Sequence, residues 1–161
     1  MAVVSNTTPL IGLAVIQRFD LLQRFFGEIV IPQAVYHEAV VTGREIGGAK
    51  REIEQSEWVK IAQVQDRLAV EVLLDELDLG EAETIVLALE LRADWVLMDE
   101  RKGRRKLAQL NLPKIGTLGI LLNAKQAGLL PALRPELETL RQKGFSLSQP
   151  VIDEILRQAG E

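Results

Sequence analysis

The sequence predicts an α/β domain in which a parallel sheet of about five short strands is covered by helices on both faces. Three observations carry that expectation. Short apolar runs alternate with stretches of helical spacing, which is how strands buried on both faces and their crossover helices read. Proline and glycine punctuate the changes from one to the other. The 161 residues, 47% of them hydrophobic, supply one substantial core and are too few for two domains of ordinary size.

Each element follows in order. Val3 to Ser5 is a short strand, ended by Asn6-Thr7-Thr8-Pro9, where helix N-cap residues precede a proline suited to a first turn. The helix it opens carries Leu10, Leu13 and Ala14 on one stripe, and a second runs through Phe19, Leu22, Phe25 and Phe26 to Gly27. Glu28 to Ile31 reads as a buried strand stopped by Pro32, and Gln33 to Val41 resumes helical spacing. Residues 42 to 57, with Gly43, Gly47 and Gly48, predict a loop and a short helix before a third strand at Trp58 to Ile61. Helices are expected over Asp66 to Glu76 and Glu81 to Leu91, a fourth strand over Trp95 to Met98, and a short fifth at Lys114-Ile115. Further helices start at Thr117, Pro131 and Ser148. No internal repeat or long linker divides residues 1–161, so one domain is expected. Its amphipathic C-terminal pieces, about 131–160, pack on the sheet or on a partner.

Composition removes several kinds of chemistry. With no cysteine there is no disulfide framework, thiolate zinc site or cysteine nucleophile. His37 is the one histidine and no Gly-x-Ser-x-Gly elbow exists, so serine hydrolase chemistry is poorly supplied. The net charge of -4 gives no general attraction to nucleic acid or membrane, and any contact with a polyanion must be local. The first residues, MAVVSNTTPL, form neither a basic leader nor a signal-length apolar run, and no apolar stretch reaches spanning length. A soluble, cytoplasmic protein without membrane contact is expected.

What remains is carboxylates. Parallel open sheets place their sites at the carboxyl ends of strands. Asn6 ends the first strand, Asp99 ends the fourth, Glu38 lies on the helix after the second, and Glu81 and Glu83 open the helix before the fourth. Four segments thus bring amide or acidic oxygens to one edge, a cage suited to Mg2+ or Mn2+, which take hard oxygen ligands. Such ions activate water and stabilise charge on a scissile phosphate. Every member also has a plainer reading. First-turn acids such as Glu81 and Glu83 complement a helix dipole, Asp99 caps the next helix, and Glu38 and His37 face solvent or pack. On one helix Glu81 and Glu83 diverge by about 200°, so one at most points at an ion.

Arg101-Lys102-Gly103-Arg104-Arg105-Lys106 follows Asp99 directly. Alone it is a solvated helix face. Beside a carboxylate cluster it offers phosphate-binding side chains. Aromatic content of 4% gives little interleaving for base stacking. A nucleotide-binding domain without nuclease chemistry is disfavoured, because no glycine-rich phosphate loop follows the first strand.

Five segments resemble PIN-domain proteins, most closely the prokaryotic group related to VapC-type toxins. They are Val-Val-Ser-Asn-Thr-Thr-Pro-Leu-Ile at 3–11, Ile-Pro-Gln-Ala-Val-Tyr-His-Glu at 31–38, Gly-Glu-Ala-Glu-Thr-Ile-Val-Leu-Ala at 80–88, Leu-Met-Asp-Glu-Arg-Lys-Gly-Arg-Arg at 97–105 and Ile-Gly-Thr-Leu-Gly-Ile-Leu at 115–121. They occur in the family's order and span nearly the whole chain. The resemblance implies a Rossmann-like sheet and metal-dependent cleavage of phosphodiesters, usually in RNA, by three or four acids. By position it places Asn6 at the first acidic site, Glu38 at the second, Glu83 with Glu81 nearby at the third, and Asp99 at the fourth. Thr7 or Thr8 adds a hydroxyl, and Arg101, Lys102, Arg104 and Arg105 stand as substrate contacts. Toxin-like members pair with an antitoxin protein and often form homodimers. The departure is Asn6, whose side-chain oxygen ligates an ion without bringing charge or taking a proton. Two functions are therefore expected to compete, a Mg2+- or Mn2+-dependent endoribonuclease and a PIN-fold protein of weakened catalysis that acts by binding RNA or protein.

Overall fold

The computed structural model describes residues 1–42 and 49–161; Gly43, Gly47 and Gly48, expected in a loop, lie outside the described residues. Strands β1 (Val3–Ser5), β2 (Ile29–Pro32), β3 (Val59–Ala62), β4 (Trp95–Leu97) and β5 (Lys114–Ile115) form one sheet in the order β3-β2-β1-β4-β5. Every pairing is parallel, with Val4 opposite Val30 and Ser5 opposite Leu97.

Helices α1 (Thr7–Val15) and α2 (Asp20–Phe26) follow β1. After β2, α3 (Gln33–Tyr36) continues directly into a π-helical turn, His37–Val41, and α4 (Lys50–Gln55) precedes β3. Helices α5 (Arg67–Leu73) and α6 (Leu79–Leu91) lead to β4, and α7 (Arg101–Gln109) leads to β5. The chain then runs through α8 (Thr117–Gln126), α9 (Arg134–Gln142) and α10 (Gln149–Gln158).

Because successive side chains of a strand point to opposite faces, the strands divide their apolar residues between two core layers. Val3, Ile29, Ile31 and Leu97 face one layer with Leu10, Leu13, Ile120, Leu121, Leu137, Leu140, Ile152 and Leu156. Val4, Val96 and Met98 face the other with Val70, Ile85, Leu87 and Leu107. Helices α9 and α10 thus place their apolar stripes in the first layer. Each fully buried leucine or isoleucine contributes roughly 1.5–3 kcal/mol by leaving water.

Several boundaries differ from expectation: β2 takes in Pro32, β3 runs one residue later and α5 ends at Leu73, short of Glu76, and two further shifts have a local reason. Helix α6 begins at Leu79, ahead of Glu81, because Asp78 caps it: Glu81 N–H donates to Asp78 Oδ1 at 2.8 Å, and Asp78 N–H donates to Glu81 Oε1 at 3.0 Å. This reciprocal pair satisfies two otherwise orphaned helix donors. Helix α9 begins at Arg134, not Pro131, with its proline in the first turn. Among the described residues no helix is long and apolar enough to cross a membrane.

Candidate active site

From β1 the sheet grows through β2 to β3 on one side and through β4 to β5 on the other. The carboxyl ends of β1 and β4 therefore flank the crevice where doubly wound sheets hold their ligands. Asn6 stands there. Its N–H donates to Leu97 O at 2.9 Å, continuing the β1–β4 ladder one residue past the strands. It occupies the cap position of α1 with extended backbone, yet its side chain makes no capping bond. The buried amide instead donates from Nδ2 to Met98 Sδ at 3.3 Å.

Glu38 arrives on the π-helical turn, a helix distortion that recurs at functional sites. Its Oε2 accepts from Thr7 Oγ1 at 2.9 Å. Its carboxyl lies against Gly80 in the first turn of α6, so closely that a β-carbon there would overlap Oε1 and stand 3.1 Å from Cδ. Burial raises the Glu38 pKa above the ordinary carboxylate range; the Thr7 bond and His37 oppose the rise, while the charges of Asp78 and Glu83 add to it. Glu38 lines a groove of about 660 Å3 with Thr7, Thr8, Ile11, Lys143 and Phe145 among its walls.

Glu83 is buried but engaged on both oxygens. Oε1 accepts from Ala34 N–H at 3.0 Å, tying down the first turn of α3, and Oε2 pairs with Arg67 Nη1 at 2.7 Å. It borders a different depression, shared with Gln33, Gln63 and Arg67. Glu81 turns the other way, into the capping box. Burial pushes its pKa up to about 7, and the neighbouring Asp78 and Glu100 carboxylates add to the rise while the Asp78 N–H opposes it.

Asp99 accepts from both the N–H and the Oγ1 of Thr117, at 2.7 and 2.6 Å. Burial raises its pKa against these two bonds and the nearby Arg104. The cap of α7 is the next residue, Glu100, which accepts from Gly103 N–H at 2.8 Å. Within the basic run, Arg104 reaches back to Met98 O at 2.9 Å and so braces the end of β4. Arg101, Lys102 and Arg105 are exposed. Lys102 and Arg105 border a small depression with Asp75 and Glu76, and Lys106 pairs with Glu76 at 3.3 Å. None of these basic side chains lines the groove that holds Glu38.

A family model described as PIN domain matches residues 2–161. The chain belongs to the PIN-domain family. A search of curated proteins finds no match. The family brings a nuclease fold, and the five-stranded parallel sheet described above is that fold.

For this PIN domain the donors at the edge have the right chemistry for Mg2+ or Mn2+, all hard oxygens. Their arrangement does not fit an ion. Among the described residues no three acidic or histidine side chains converge on one point, Glu83 already has a guanidinium for its cation, and Asp99 is turned to Thr117. Glu38 and Glu83 are near enough to repel each other but border separate depressions.

Sequence reading passed over Arg67, Thr117, Lys143 and Phe145. Thr117 stands within the quoted Ile-Gly-Thr segment, and the Asp78-to-Glu81 spacing of a capping box was also present. Arg67 and Phe145 left no local signal, since both reach the site only through tertiary packing.

Proposed function

We propose that this PIN domain is an endoribonuclease acting at the carboxyl edge of β1 and β4, with Glu38 as the carboxylate that meets the bound strand. One observation carries the reading: of Asn6, Glu38, Glu81, Glu83 and Asp99, Glu38 alone lines the large groove. Held by Thr7 and raised by burial, its carboxyl is suited to accept a proton from a nucleophile attacking the phosphodiester. Thr7 and Thr8 supply hydroxyls along the same wall, and Asp99 anchors the neighbouring strand end through Thr117. Mg2+ or Mn2+ belongs to this reading as the ion these oxygens select, but the arrangement does not form its site, and Glu38's proton handling stands without it.

The same reading makes the protein the toxin of a toxin–antitoxin pair, cytoplasmic and homodimeric, on the strength of the VapC-like segments. The test is incubation of purified protein with single-stranded RNA, with and without manganese, beside Glu38→Gln and Asp99→Asn. Cleavage is expected from the parent and at least tenfold less from Glu38→Gln. Undiminished cleavage by Glu38→Gln overturns the assignment.

A second reading is favoured by Asn6, which is neutral, buried and bonded to Met98. Here catalysis is weakened and the protein acts by binding RNA or protein. Asn6→Asp should then turn an inert parent into a manganese-dependent nuclease, and a parent already cleaving with the same metal dependence refutes it.

A further inference from the structure

Beyond Glu38 the groove continues to a wall that no acidic motif marks, the connection between α9 and α10. Lys143, Gly144, Phe145 and Ser146 face Thr7, Thr8 and Ile11 of α1 across it. We infer that this end of the groove is a nucleotide subsite, taking an unpaired base of single-stranded RNA against Phe145 with the adjoining phosphate at Lys143. The inference deepens the ribonuclease reading and rests on it for the class of ligand.

The wall is built to stay in place. Gly144 turns the chain with φ +96°, a conformation that side chains rarely adopt. Phe145 N–H donates to Leu140 O at 3.0 Å, closing the end of α9. Arg141 spans the connection, donating from Nη2 to Leu147 O at 3.0 Å and from Nη1 to Gln149 Oε1 at 3.3 Å. On the opposite side Gly12 admits the ring: a β-carbon there would stand 3.3 Å from Phe145 Cε1, tighter than ordinary contact. The ring packs partly on the core and also lines the groove, so one aromatic surface is fixed before any ligand arrives.

Size and chemistry agree on the occupant. About 660 Å3 lies within the range of small-ligand sites, roughly 300–1,000 Å3. Aromatic side chains hold bases that are splayed out of a helix, which single strands offer and duplexes do not. Lys143 is exposed and has no ion-pair partner among the described residues, so its ammonium offsets the repulsion between a phosphate and Glu38 in the same groove. The hydroxyls of Thr7, Thr8 and Ser146 complete a polar rim.

The test is fluorescence anisotropy with a 5′-labelled oligouridine in chelator, which reads binding apart from cleavage. Phe145→Leu should weaken binding about fivefold or more, Phe145→Tyr should retain it, and Lys143→Gln should lower the slope of log affinity against log salt by about one. A duplex of the same length should bind more weakly than the single strand. Circular dichroism melts identify any variant that has lost its fold, and Phe145→Tyr keeps the comparison valid if Phe145→Leu has. Unchanged affinity and salt slope in the folded variants overturn the subsite, as does binding lost only on Lys102→Gln or Arg105→Gln. RNA held in the groove but never cut would sink the ribonuclease reading and leave the subsite standing; RNA cut with no effect of Phe145 or Lys143 would do the reverse.

Discussion

Replacing Gly80 with alanine separates the position of Glu38 from the stability of the fold. The three atoms nearest to a β-carbon at position 80 all belong to the Glu38 carboxyl: Oε1 overlaps it, Cδ stands at 3.1 Å and Oε2 at 3.3 Å. The one severe overlap is with the end of a flexible side chain, so Glu38 gives way and the sheet does not. In moving, the carboxylate gives up the 2.9 Å bond from Thr7, a charged-acceptor bond of roughly 1.5–3 kcal/mol. Alanine returns at most about 1 kcal/mol of helix propensity in α6. The net loss is about 1 kcal/mol, a fall in melting temperature of roughly 2–4 °C for a chain of this length. On the proposed role of Glu38, cleavage of single-stranded RNA should fall much further, on the order of tenfold to a hundredfold, because a misplaced general base loses most of its contribution. Paired thermal melts and initial cleavage rates measure both quantities. Parental cleavage by folded Gly80→Ala, or Glu38 still bonded to Thr7 in its crystal structure, refutes the reasoning.

Other expectations follow from neighbouring contacts. Glu81 has a folded pKa of about 7 against an ordinary 4.5, so the folded state holds its proton more tightly; the stability this gives is full below pH 4.5 and is lost as pH rises toward about 7. Glu81→Gln keeps a capping acceptor and should flatten that decline, leaving melting temperatures above the parent's at pH 7–8 and equal to it near pH 4.5. Arg67→Ala strips the buried Glu83 Oε2 of its 2.7 Å partner, so chemical denaturation should show a loss of about 1–3 kcal/mol; an unchanged midpoint would show that water replaces the guanidinium there. In Gly116→Ala the new carbon would stand 2.7 Å from Asp99 Oδ1 and 3.2 Å from Arg104 Nη1. Chemical denaturation should show a loss of about 1–3 kcal/mol, and unaltered stability would show that Asp99 is loosely held.

The sequence made the sheet legible because its central strands β1 and β2 are largely buried on both faces and bounded by Pro32, by the Asn6 to Pro9 turn and by helical spacing that resumes at once. It also located the edge, since strand ends in a parallel sheet converge by topology. Whether the acids at that edge meet one another was beyond it. Glu38 and Glu83 are each held by partners distant in the chain, Thr7 and Gly80 for the first, Ala34 and Arg67 for the second. The basic run was readable as charge, yet Arg104 is spent on Met98 O and Lys106 on Glu76. Phe145 was hidden for a related reason: a lone aromatic after a glycine has no period, and only the fold brings it opposite α1.

The contacts of Glu38 with Gly80 and of Glu83 with Ala34 share one property. Glu38 sits on the turn whose Ala39 and Val40 pack in the first core layer, whereas Gly80 and Glu83 ride on α6, which packs in the second. The candidate site is therefore a seam stitched over the rim of the sheet, and its geometry records how the two layers sit against each other. A cavity cut into either layer, far from any carboxylate, can let one side slip by a fraction of an ångström and spoil the seam while the strands stay paired. In this domain activity should fade before secondary structure does.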